Sequence, residues 1–395
     1  MKAQPRPVIL IALAFPPENL VGALRPGRFF KYLPEFGYSP WVVTASAEAR
    51  GETILTVPAE CPWWERLLWR IYPQQENLAW ARPAAHAAAE IAAKHPGAIV
   101  VSTSPPVSTH LAALRLKQRF GIPWVADFRD PLTGNAVRGR RITPWVDAAL
   151  ERHLLAHADL VIANTEALRD YWSHRHPALA ARIRVLCNGF DPQTVRDLRP
   201  LPAREQRLLT HVGSVYSARY AAQVFAALAR LAAAGRLDPR QRVHMVGYID
   251  RSVSDLAVAA ELRARGILDI RDRHIPAEQA AQLMAESDFL LLFDYERRGG
   301  SLQCPAKLYD YIAAGRPILA VTNPGSPVER VLRISGIPHV CVYGSASDVE
   351  IDAGVLQLLS LSAASTRASE EYRKRFDGRE QVRQLSLWLD EVAGR

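Results

Sequence analysis

The sequence of 395 residues has little of several features that would place a protein in a class at once. It holds only four cysteines, far apart in the sequence, with no CxxC pair and no histidine at ligand spacing: Cys61, Cys187, Cys304 and Cys341. This pattern excludes a common zinc site or disulfide framework, and it favours a reducing compartment. We expect no bound metal and no cofactor.

Long hydrophobic runs are also absent. No stretch approaches the roughly 20 apolar residues that a membrane-spanning helix needs. The apolar run from Val8 to Phe15 is too short for the core of a signal peptide, and a buried strand explains it better. We therefore expect a cytoplasmic protein, at most resting on the inner face of the plasma membrane.

The charge is not concentrated in blocks. Lys and Arg total 49 and Asp and Glu total 40, which gives +9, spread along the chain. Nucleic acid is therefore not indicated as a partner, whereas anionic small molecules and an anionic membrane surface fit equally well. With 49% hydrophobic and 23% charged residues, the chain is a folded globular protein, long enough for two domains.

The first half alternates apolar runs rich in β-branched residues with longer helical stretches, which predicts parallel strands joined by helices. The predicted strands are Val8 to Ala14, Trp41 to Thr44, Ala98 to Ser102, Trp124 to Phe128 and Leu160 to Ala163. The predicted helices are Pro26 to Phe36, Ala81 to Lys94, Ser108 to Phe120 and Pro144 to Ala156.

A polar, arginine-rich segment from Asp191 to Arg207 then looks like a linker, after which the alternation restarts. Its predicted strands are Leu208 to Gly213, Val243 to Val246, Ile267 to Arg271, Phe289 to Phe293, Ile318 to Val321 and His339 to Val342. Helices are predicted at Ala218 to Ala234, Ala277 to Glu286 and Ala364 to Gly394. Two such α/β units leave a cleft where the carboxyl ends of their strands face each other.

The most informative segment is Arg297 to Pro317, which reads RRGGSLQCPAKLYDYIAAGRP and follows a predicted strand. Proline at the first position and Gly315 just past the end delimit a helix from Pro305 to Ala314. A glycine-rich loop thus leads into a helix N-terminus, where free N–H groups attract anions and Gly299 and Gly300 let a phosphate approach closely.

On that helix Lys307 and Asp310 share one face near the predicted phosphate. A carboxylate one turn inside the helix can accept hydrogen bonds from the two hydroxyls of a ribose. An ordinary amphipathic helix, with Lys307 and Asp310 paired in solvent, is an equally weighted alternative on the residues alone.

The stretch KLYDYIAAGRPIL resembles the nucleotide-sugar-binding helix of glycosyltransferase family 4 and its relatives with the GT-B fold. In that family an acidic residue five positions before the glycine holds the donor ribose, and Asp310 occupies this position. The resemblance extends over nearly the whole chain through further motifs in the family's order: Phe15 to Thr44, Val100 to Pro131, Asp159 to Leu168, Arg184 to Asp191, and Thr210 to Arg219 with the donor-domain glycine Gly213.

The sequence departs from the family at one position. Family 4 enzymes commonly carry a glutamate eight positions before the ribose-binding acid, and here that position is Leu302. The usual glutamate contacts the transferred sugar, so the resemblance does not identify the sugar. Ser301 and Gln303 flank this position and could supply hydrogen bonds instead.

The resemblance assigns Arg219, six residues after Gly213, to the donor diphosphate. An arginine there would stabilise the negative charge that develops on the departing nucleoside diphosphate, with Lys307 as its partner. The alternative is a solvated arginine at the start of a helix.

In the first half, Asp127, Arg129 and Asp130 follow the predicted strand Trp124 to Phe128, at the edge where ligands bind. Carboxylates beside an arginine could position or deprotonate an acceptor hydroxyl, or they could form a structural ion-pair cluster that fixes the loop. Gly22, Arg25 and Arg28, near the first helix start, suit a phosphorylated acceptor or the donor phosphate. We expect His110 to be an ordinary helix residue.

The segment from Cys61 to Trp80 contains four of the nine tryptophans, with arginines between them. Trp63, Trp64, Leu67, Leu68 and Ile71 can share one helical face beside Arg66 and Arg70, as in a helix that lies on a membrane. The alternative is an insertion whose aromatic side chains pack on the domain.

Together these observations predict an α/β protein of two doubly wound Rossmann-like domains facing across a cleft, the GT-B fold. Residues 1–195 would bind the acceptor, residues 196–370 the nucleotide-sugar donor, and residues 371–395 would form a helix that packs back on the first domain. The family implies a retaining transfer of a hexosyl group to a glycan or polyprenyl-linked saccharide without a metal. The alternatives are a nucleotide-sugar epimerase of the same fold and a catalytically silent nucleotide-sugar-binding scaffold.

Overall fold

The computed structural model describes residues 4–18, 20–68, 77–135, 144–193, 201, 204–216, 218–273, 275–295 and 301–394. The chain divides into two compact units. Unit 1 comprises Met1–Pro192 with Phe376–Arg395, and unit 2 comprises Gln193–Arg375. No helix in the described ranges has both the length and the apolar character needed to cross a bilayer.

Unit 1 is built on a parallel sheet with helical connections. Its strands are β1 (Arg6–Ile11), β2 (Tyr38–Thr44), β3 (Ile54–Thr56), β4 (Ile99–Ser104), β5 (Trp124–Phe128), β6 (Leu160–Ala163) and β7 (Ile183–Val185). Among the described residues these seven strands lie in the order β3-β2-β1-β4-β5-β6-β7. The helices that connect them are α1 (Val21–Tyr32), α2 (Trp63–Leu68), α3 (Ala81–Lys94), α4 (Ser108–Phe120), α5 (Pro144–His157) and α6 (Glu166–Arg175).

Unit 2 repeats this architecture. Its strands are β8 (Arg207–Val212), β9 (Gln241–Gly247), β10 (Leu268–Asp272), β11 (Phe289–Phe293), β12 (Ile318–Thr322) and β13 (His339–Tyr343), in the order β10-β9-β8-β11-β12-β13. Its helices are α7 (Ala218–Ala233), α8 (Arg251–Ser254), α9 (Ala257–Ala264), α10 (Ala277–Glu286), α11 (Lys307–Ala314), α12 (Pro327–Ser335), α13 (Asp348–Ser360) and α14 (Glu370–Phe376). The order reverses at β8, so ligands are expected at its carboxyl end, next to β11.

The central strands explain why the alternation was visible in the sequence. Every residue of β4, β5, β6, β11 and β12 is buried, as expected for parallel strands that helices cover on both faces. The predicted bounds of β5, β6, β11, α3, α4 and α10 are confirmed to the residue. The three-residue strands β3 and β7 were not predicted.

The final helix, α15 (Gly378–Ala393), completes unit 1. Its buried side chains join the core cluster that contains Val8 and Leu10 of β1: Val382, Leu385, Trp388, Leu389 and Val392. The single helix predicted from Ala364 to Gly394 is wrong. Asp377 separates α14 from α15, because its side chain accepts hydrogen bonds from Arg379 N and Glu380 N and so caps a new helix.

The predicted start of α1 at Pro26 is also wrong, because the helix begins at Val21 and contains Pro26. Proline inside a helix removes one backbone hydrogen bond and its ring crowds the preceding turn, so Pro26 by itself disfavours the helix. The spacing of Ala23, Pro26, Phe29 and Tyr32, which are all buried, fixes the helix across the proline. Arg25 therefore lies within a helix and not in a loop.

Candidate functional site

The predicted donor site in unit 2 centres on the start of α11. The helix begins at Lys307, two residues after the predicted start, and ends as predicted before Gly315, which has a left-handed φ of 69°. Its N-cap residue, Ala306, offers no side-chain hydrogen bond to the first turn. Exposed or ligand-facing N–H groups at such a helix start attract anions.

The loop before α11 is described only from Ser301. Ser301 and Gln303 are both buried, and the Ser301 hydroxyl donates to Gln303 O and accepts from Gln303 N, each at 3.1 Å. These bonds form a tight turn that leads into the helix. Gly299 and Gly300, predicted to let phosphate approach, lie outside the described residues.

Lys307 connects this helix to the end of β8. Its Nζ donates to Ser214 O at 2.7 Å and lies 3.4 Å from His211 Nε2. Gly213, with φ of 118°, leaves the room for this contact, because a Cβ atom at this position would lie 2.9 Å from Lys307 Nζ. Burial lowers the pKa of Lys307 to about 7.

Tyr311, one turn further along α11, fixes the helix against the same strand. Its hydroxyl accepts a hydrogen bond from Val212 N at 2.7 Å and lies within 3.3 Å of Leu291 O. Burial raises the pKa of this tyrosine, which keeps the hydroxyl protonated as a donor. The predicted donor residues Lys307 and Gly213 are thus brought together by packing between β8, β11 and α11.

Asp310 lies in the first turn of α11 and is exposed. Lys307, three residues earlier, turns inward to Ser214 O, and the two side chains form no ion pair. The solvent pairing of Lys307 with Asp310, one of the two predicted alternatives, is therefore wrong. Asp310 is thus an exposed residue at this helix start.

Arg219 lies in the first turn of α7, where it was predicted. Its guanidinium donates to Gly344 O at 3.2 Å, after β13, and Gln223 donates to the same carbonyl. Among the described residues no contact joins Arg219 to Lys307. The two cations are held by carbonyls of different loops, and neither is neutralised by a carboxylate of the described chain.

Sequence reasoning missed two buried groups near these strand ends. His211 is fully enclosed on β8, and Asp294 follows β11 with its carboxylate bonded to Thr322 Oγ1 and Tyr295 N at 2.6 and 2.7 Å. Burial raises the pKa of Asp294 to about 7. The one available signal was an ionisable residue at the end of an otherwise apolar strand.

In unit 1, Asp127 and Arg25 form a buried ion pair. Arg25 Nε and Nη2 donate to the two carboxylate oxygens at 2.9 and 2.7 Å, and Thr103 Oγ1 donates to the same group at 2.8 Å. Asp127 is 0% exposed and Arg25 is 2% exposed. This geometry supports a structural ion pair, the second predicted alternative, because both side chains are enclosed.

Arg129 and Gly22, which were both predicted on the acceptor side, are neighbours. A Cβ atom on Gly22 would lie 3.2 Å from Arg129 Nη1, while Arg129 Nε donates to Ser104 O at 3.1 Å. Asp130 follows in the same loop, is partly buried and interacts electrostatically with Arg129. These three residues are half-buried, as is Arg28, the other residue predicted near the start of α1.

His110 is a core residue, in agreement with its prediction. The ring is fully buried against Phe128, its Nδ1 lies 2.7 Å from Ser102 Oγ, and burial lowers its pKa to about 3. It is therefore neutral in the folded protein and lies away from solvent.

The tryptophan-rich segment divides between surface and core. Trp63, Trp64 and Leu67 of α2 are 76%, 39% and 56% exposed, whereas Trp80 is buried and its indole N–H donates to Val57 O. Glu65 points inward and accepts hydrogen bonds from Leu78 N and Ala79 N, which anchors the short helix. Arg70 and Ile71 lie outside the described residues.

Comparison with known proteins identifies the fold. A family model described as Glycosyltransferase Family 4 matches residues 28–194. No curated protein matches the chain in sequence. The predicted family 4-like resemblance is thus confirmed over the matched range.

Solved structures match the chain over nearly all of its length. HepE of Anabaena, in complex with UDP and glucose, superposes with a TM-score of 0.67 at 13% identity, over 98% of this chain and 100% of that one. A glycosyltransferase of Rickettsia africae gives 0.64 at 16% identity, over 98% of each chain. Sucrose-phosphate synthase of Thermosynechococcus elongatus gives 0.62 at 16% identity, over 98% of this chain and 96% of that one. The predicted GT-B fold class, with two doubly wound units, is confirmed.

Proposed function

We propose that the protein is a glycosyltransferase that moves a hexosyl group, with retention, from a nucleoside diphosphate sugar to a hydroxyl of a glycan or polyprenyl-linked saccharide. One observation carries the proposal. Lys307 Nζ is held at the Gly213 corner without a carboxylate partner in the described chain, beside the N-terminus of α11 and the exposed Asp310. A cation in this setting needs an anion that the ligand supplies.

In this proposal the donor diphosphate lies at the start of α11, next to Lys307, and its ribose hydroxyls donate to Asp310. As the glycosidic bond breaks, negative charge grows on the leaving diphosphate. Arg219, Lys307 and the positive end of the helix stabilise that charge, which is the neutralising task that a metal ion performs in other transferases. We therefore propose transfer without a metal.

Unit 1 would bind the acceptor. Arg129, Gly22 and Asp130 are accessible near the start of α1 and suit a phosphorylated or hydroxyl-bearing acceptor. The fold likeness to HepE, solved with UDP and glucose, and to sucrose-phosphate synthase supports a sugar-nucleotide donor. The exposed tryptophans of α2 support a site of action at the inner face of a membrane.

Calorimetric titration with UDP, GDP and ADP tests the donor assignment. Asp310→Ala should weaken binding of the preferred nucleotide by about 1.5 to 3 kcal/mol, or roughly ten- to a hundredfold, because it removes hydrogen bonds to a charged group. Glu261→Ala is the matched control, since Glu261 is a surface carboxylate of α9 that pairs with Arg265. It should leave the affinity unchanged.

Incubation with labelled nucleotide sugars then separates transfer from its alternatives. Transfer to an acceptor, or slow donor hydrolysis, supports the proposal. Formation of the epimeric nucleotide sugar would identify an epimerase, and binding without any turnover would identify a silent scaffold. An Asp310→Ala variant that binds nucleotide as tightly as the wild type would remove Asp310 from the site.

A further inference from the structure

His211 has a defined hydrogen-bonding role that the proposed mechanism does not use. Its side chain is fully buried on β8, and its Nδ1 lies 2.8 Å from Leu291 O on the neighbouring strand β11. A carbonyl oxygen only accepts, so Nδ1 carries the hydrogen. In the neutral imidazole, Nε2 is then an acceptor.

That acceptor faces Lys307. The distance from His211 Nε2 to Lys307 Nζ is 3.4 Å, and Ser214 O accepts from the same Nζ at 2.7 Å. The amine of Lys307 is therefore held by two neutral acceptors at the Gly213 corner. Lys307 is half-buried, and a cation that is partly withdrawn from water with only neutral partners is costly unless an anion reaches it.

The charged and titratable groups around this corner are engaged elsewhere. On α11, Tyr311 bonds to Val212 and Leu291 O, and Asp310 faces solvent. After β11, Asp294 bonds to Thr322, and on α7 the guanidinium of Arg219 bonds to Gly344 O. Within the described chain none of them forms an ion pair with Lys307.

Burial sets the protonation states of Lys307 and His211. It lowers the pKa of Lys307 to about 7, and burial together with the nearby Lys307 lowers the pKa of His211 well below its ordinary 6.5. Near neutral pH the imidazole is neutral, and the lysine exists in both of its forms in the free protein.

We propose that His211 is a positioning residue that holds Lys307 at the donor corner, and that this pair takes up one proton from solvent when a nucleoside diphosphate binds. The proton goes to Lys307 Nζ, because the diphosphate supplies the negative charge that the protein does not. His211 stays neutral and accepts from the resulting ammonium. This inference rests on the proposed function, since it requires the diphosphate to lie beside Lys307.

The expected size of the uptake follows from linkage. With a free-protein pKa of about 7, most of the lysines are neutral at pH 8 and few are neutral at pH 6. Binding should therefore take up most of one proton per nucleotide at pH 8 and little at pH 6, and affinity should fall as pH rises above 7. A terminal phosphate completes its last ionisation near about pH 6, so at pH 8 the nucleotide itself contributes little.

Calorimetry at pH 8 in two buffers of different ionisation enthalpy, HEPES and Tris, measures this uptake with UDP, GDP and ADP as probes. The wild type should give a buffer-dependent binding enthalpy that corresponds to the uptake of most of one proton. Lys307→Arg keeps the charge at every pH in this range, so its binding should be independent of buffer and nearly independent of pH.

The His211 variants test positioning. His211→Asn places an amide near Leu291 O but cannot reach Lys307, so affinity at pH 8 should fall about five- to tenfold, with the pH midpoint shifted to lower pH. His211→Gln brings an amide oxygen near the Nε2 position and should recover most of the affinity. His244→Asn on β9, where the charged neighbours are Arg271, Asp269 and Arg204, is the matched control and should behave as wild type.

The outcomes are separable. Nucleotide binding by the wild type with equal enthalpy in both buffers would overturn the proton uptake and leave the proposed function standing. A His211→Asn variant with the wild-type affinity and pH profile would overturn the positioning role. If the wild type binds none of the three nucleotides, the proposed function fails and this inference falls with it. Should His211→Asn not fold, His211→Gln and the two-buffer comparison still decide both points.

Discussion

Arg25 joins three segments of unit 1 that are far apart in the sequence. From α1 its guanidinium bonds to Asp127 at the end of β5, and it also donates to Leu186 O and Cys187 O, after β7, at 2.8 Å. Its guanidinium carbon also lies 5.4 Å from the centre of the Phe29 ring. The residue therefore organises the carboxyl edge of the first sheet.

Replacing Arg25 by methionine should destabilise unit 1 by about 3 to 5 kcal/mol, because Asp127 would remain buried without its partner. Urea unfolding monitored by tryptophan fluorescence measures this loss. Arg115→Ala, at an exposed position of α4, should change the stability of the same unit by less than about 0.5 kcal/mol. A loss below 1 kcal/mol for Arg25→Met would mean that the Asp127 carboxylate is solvated and accessible. The alternative in which Asp127 positions or deprotonates an acceptor hydroxyl would then be favoured.

The sequence located Asp127 at the correct edge of the sheet but did not reveal its role. Strand bounds follow from a local apolar run, whereas the partner, Arg25, lies 102 positions away and is brought close only by the fold. The same limit applies to His211 and Lys307, which are 96 positions apart. One sequence therefore shows that an ionisable residue lies at the end of a strand. It does not show which distant residue pairs with it, and that partner decides its role.

At the scale of elements, complete burial made the central strands recognisable but did not always fix their ends. Both faces of these strands are covered, which leaves an apolar run. The bounds of β5, β6 and β11 were predicted to the residue, whereas those of β4 and β12, also buried throughout, were displaced by one or two residues. Helix starts were less predictable, because packing of a spaced apolar face carried α1 through Pro26. Edge strands of three residues carry too few side chains for a recognisable pattern.

Helix α2 presents an aromatic surface that unit 1 does not cover. Its tryptophans point outward while Glu65 anchors it from the inner side. We expect reversible, salt-sensitive binding to vesicles that contain an anionic lipid such as phosphatidylglycerol. The apolar rings gain by burial at the interface, and each basic residue nearby adds about 1 kcal/mol.

Replacing Trp63, Trp64 and Arg66 together by alanine should abolish co-sedimentation with these vesicles at low salt and leave nucleotide binding intact. Trp145→Ala removes another exposed tryptophan, 70% accessible on α5, and should retain vesicle binding. Failure of the wild type to sediment at low salt would show that the exposed tryptophans serve another contact.

For the molecule as a whole, the tryptophans report on one unit only. All nine lie within Met1–Pro192 or Phe376–Arg395, and Gln193–Arg375 contains none. Tryptophan fluorescence therefore follows the unfolding of unit 1 directly. A nucleotide that binds unit 2 can be followed independently by calorimetry.

Removing residues 376–395 should prevent unit 1 from folding. The five apolar side chains that α15 buries in the core each contribute about 1.5 to 3 kcal/mol, and together they match the whole stability of an ordinary domain. The tryptophan emission of residues 1–375 should shift to that of solvent-exposed indole. Leu387→Ala, which is 50% exposed on the same helix, should fold normally. A truncated protein with native emission and an unchanged midpoint would contradict the prediction.

The order of synthesis gives this arrangement a further consequence. A ribosome makes the first 192 residues of unit 1, then all of unit 2, and only then the helix that closes the first core. At usual elongation rates of about 5 to 20 residues per second, helix α15 is synthesised roughly 10 to 40 s after the first segment of unit 1. During that interval the faces of α1 and β5 that α15 covers are open on the nascent chain. Unit 1, although most of it precedes unit 2 in the sequence, is thus the second to mature, and we expect its apolar surface to bind chaperones during translation.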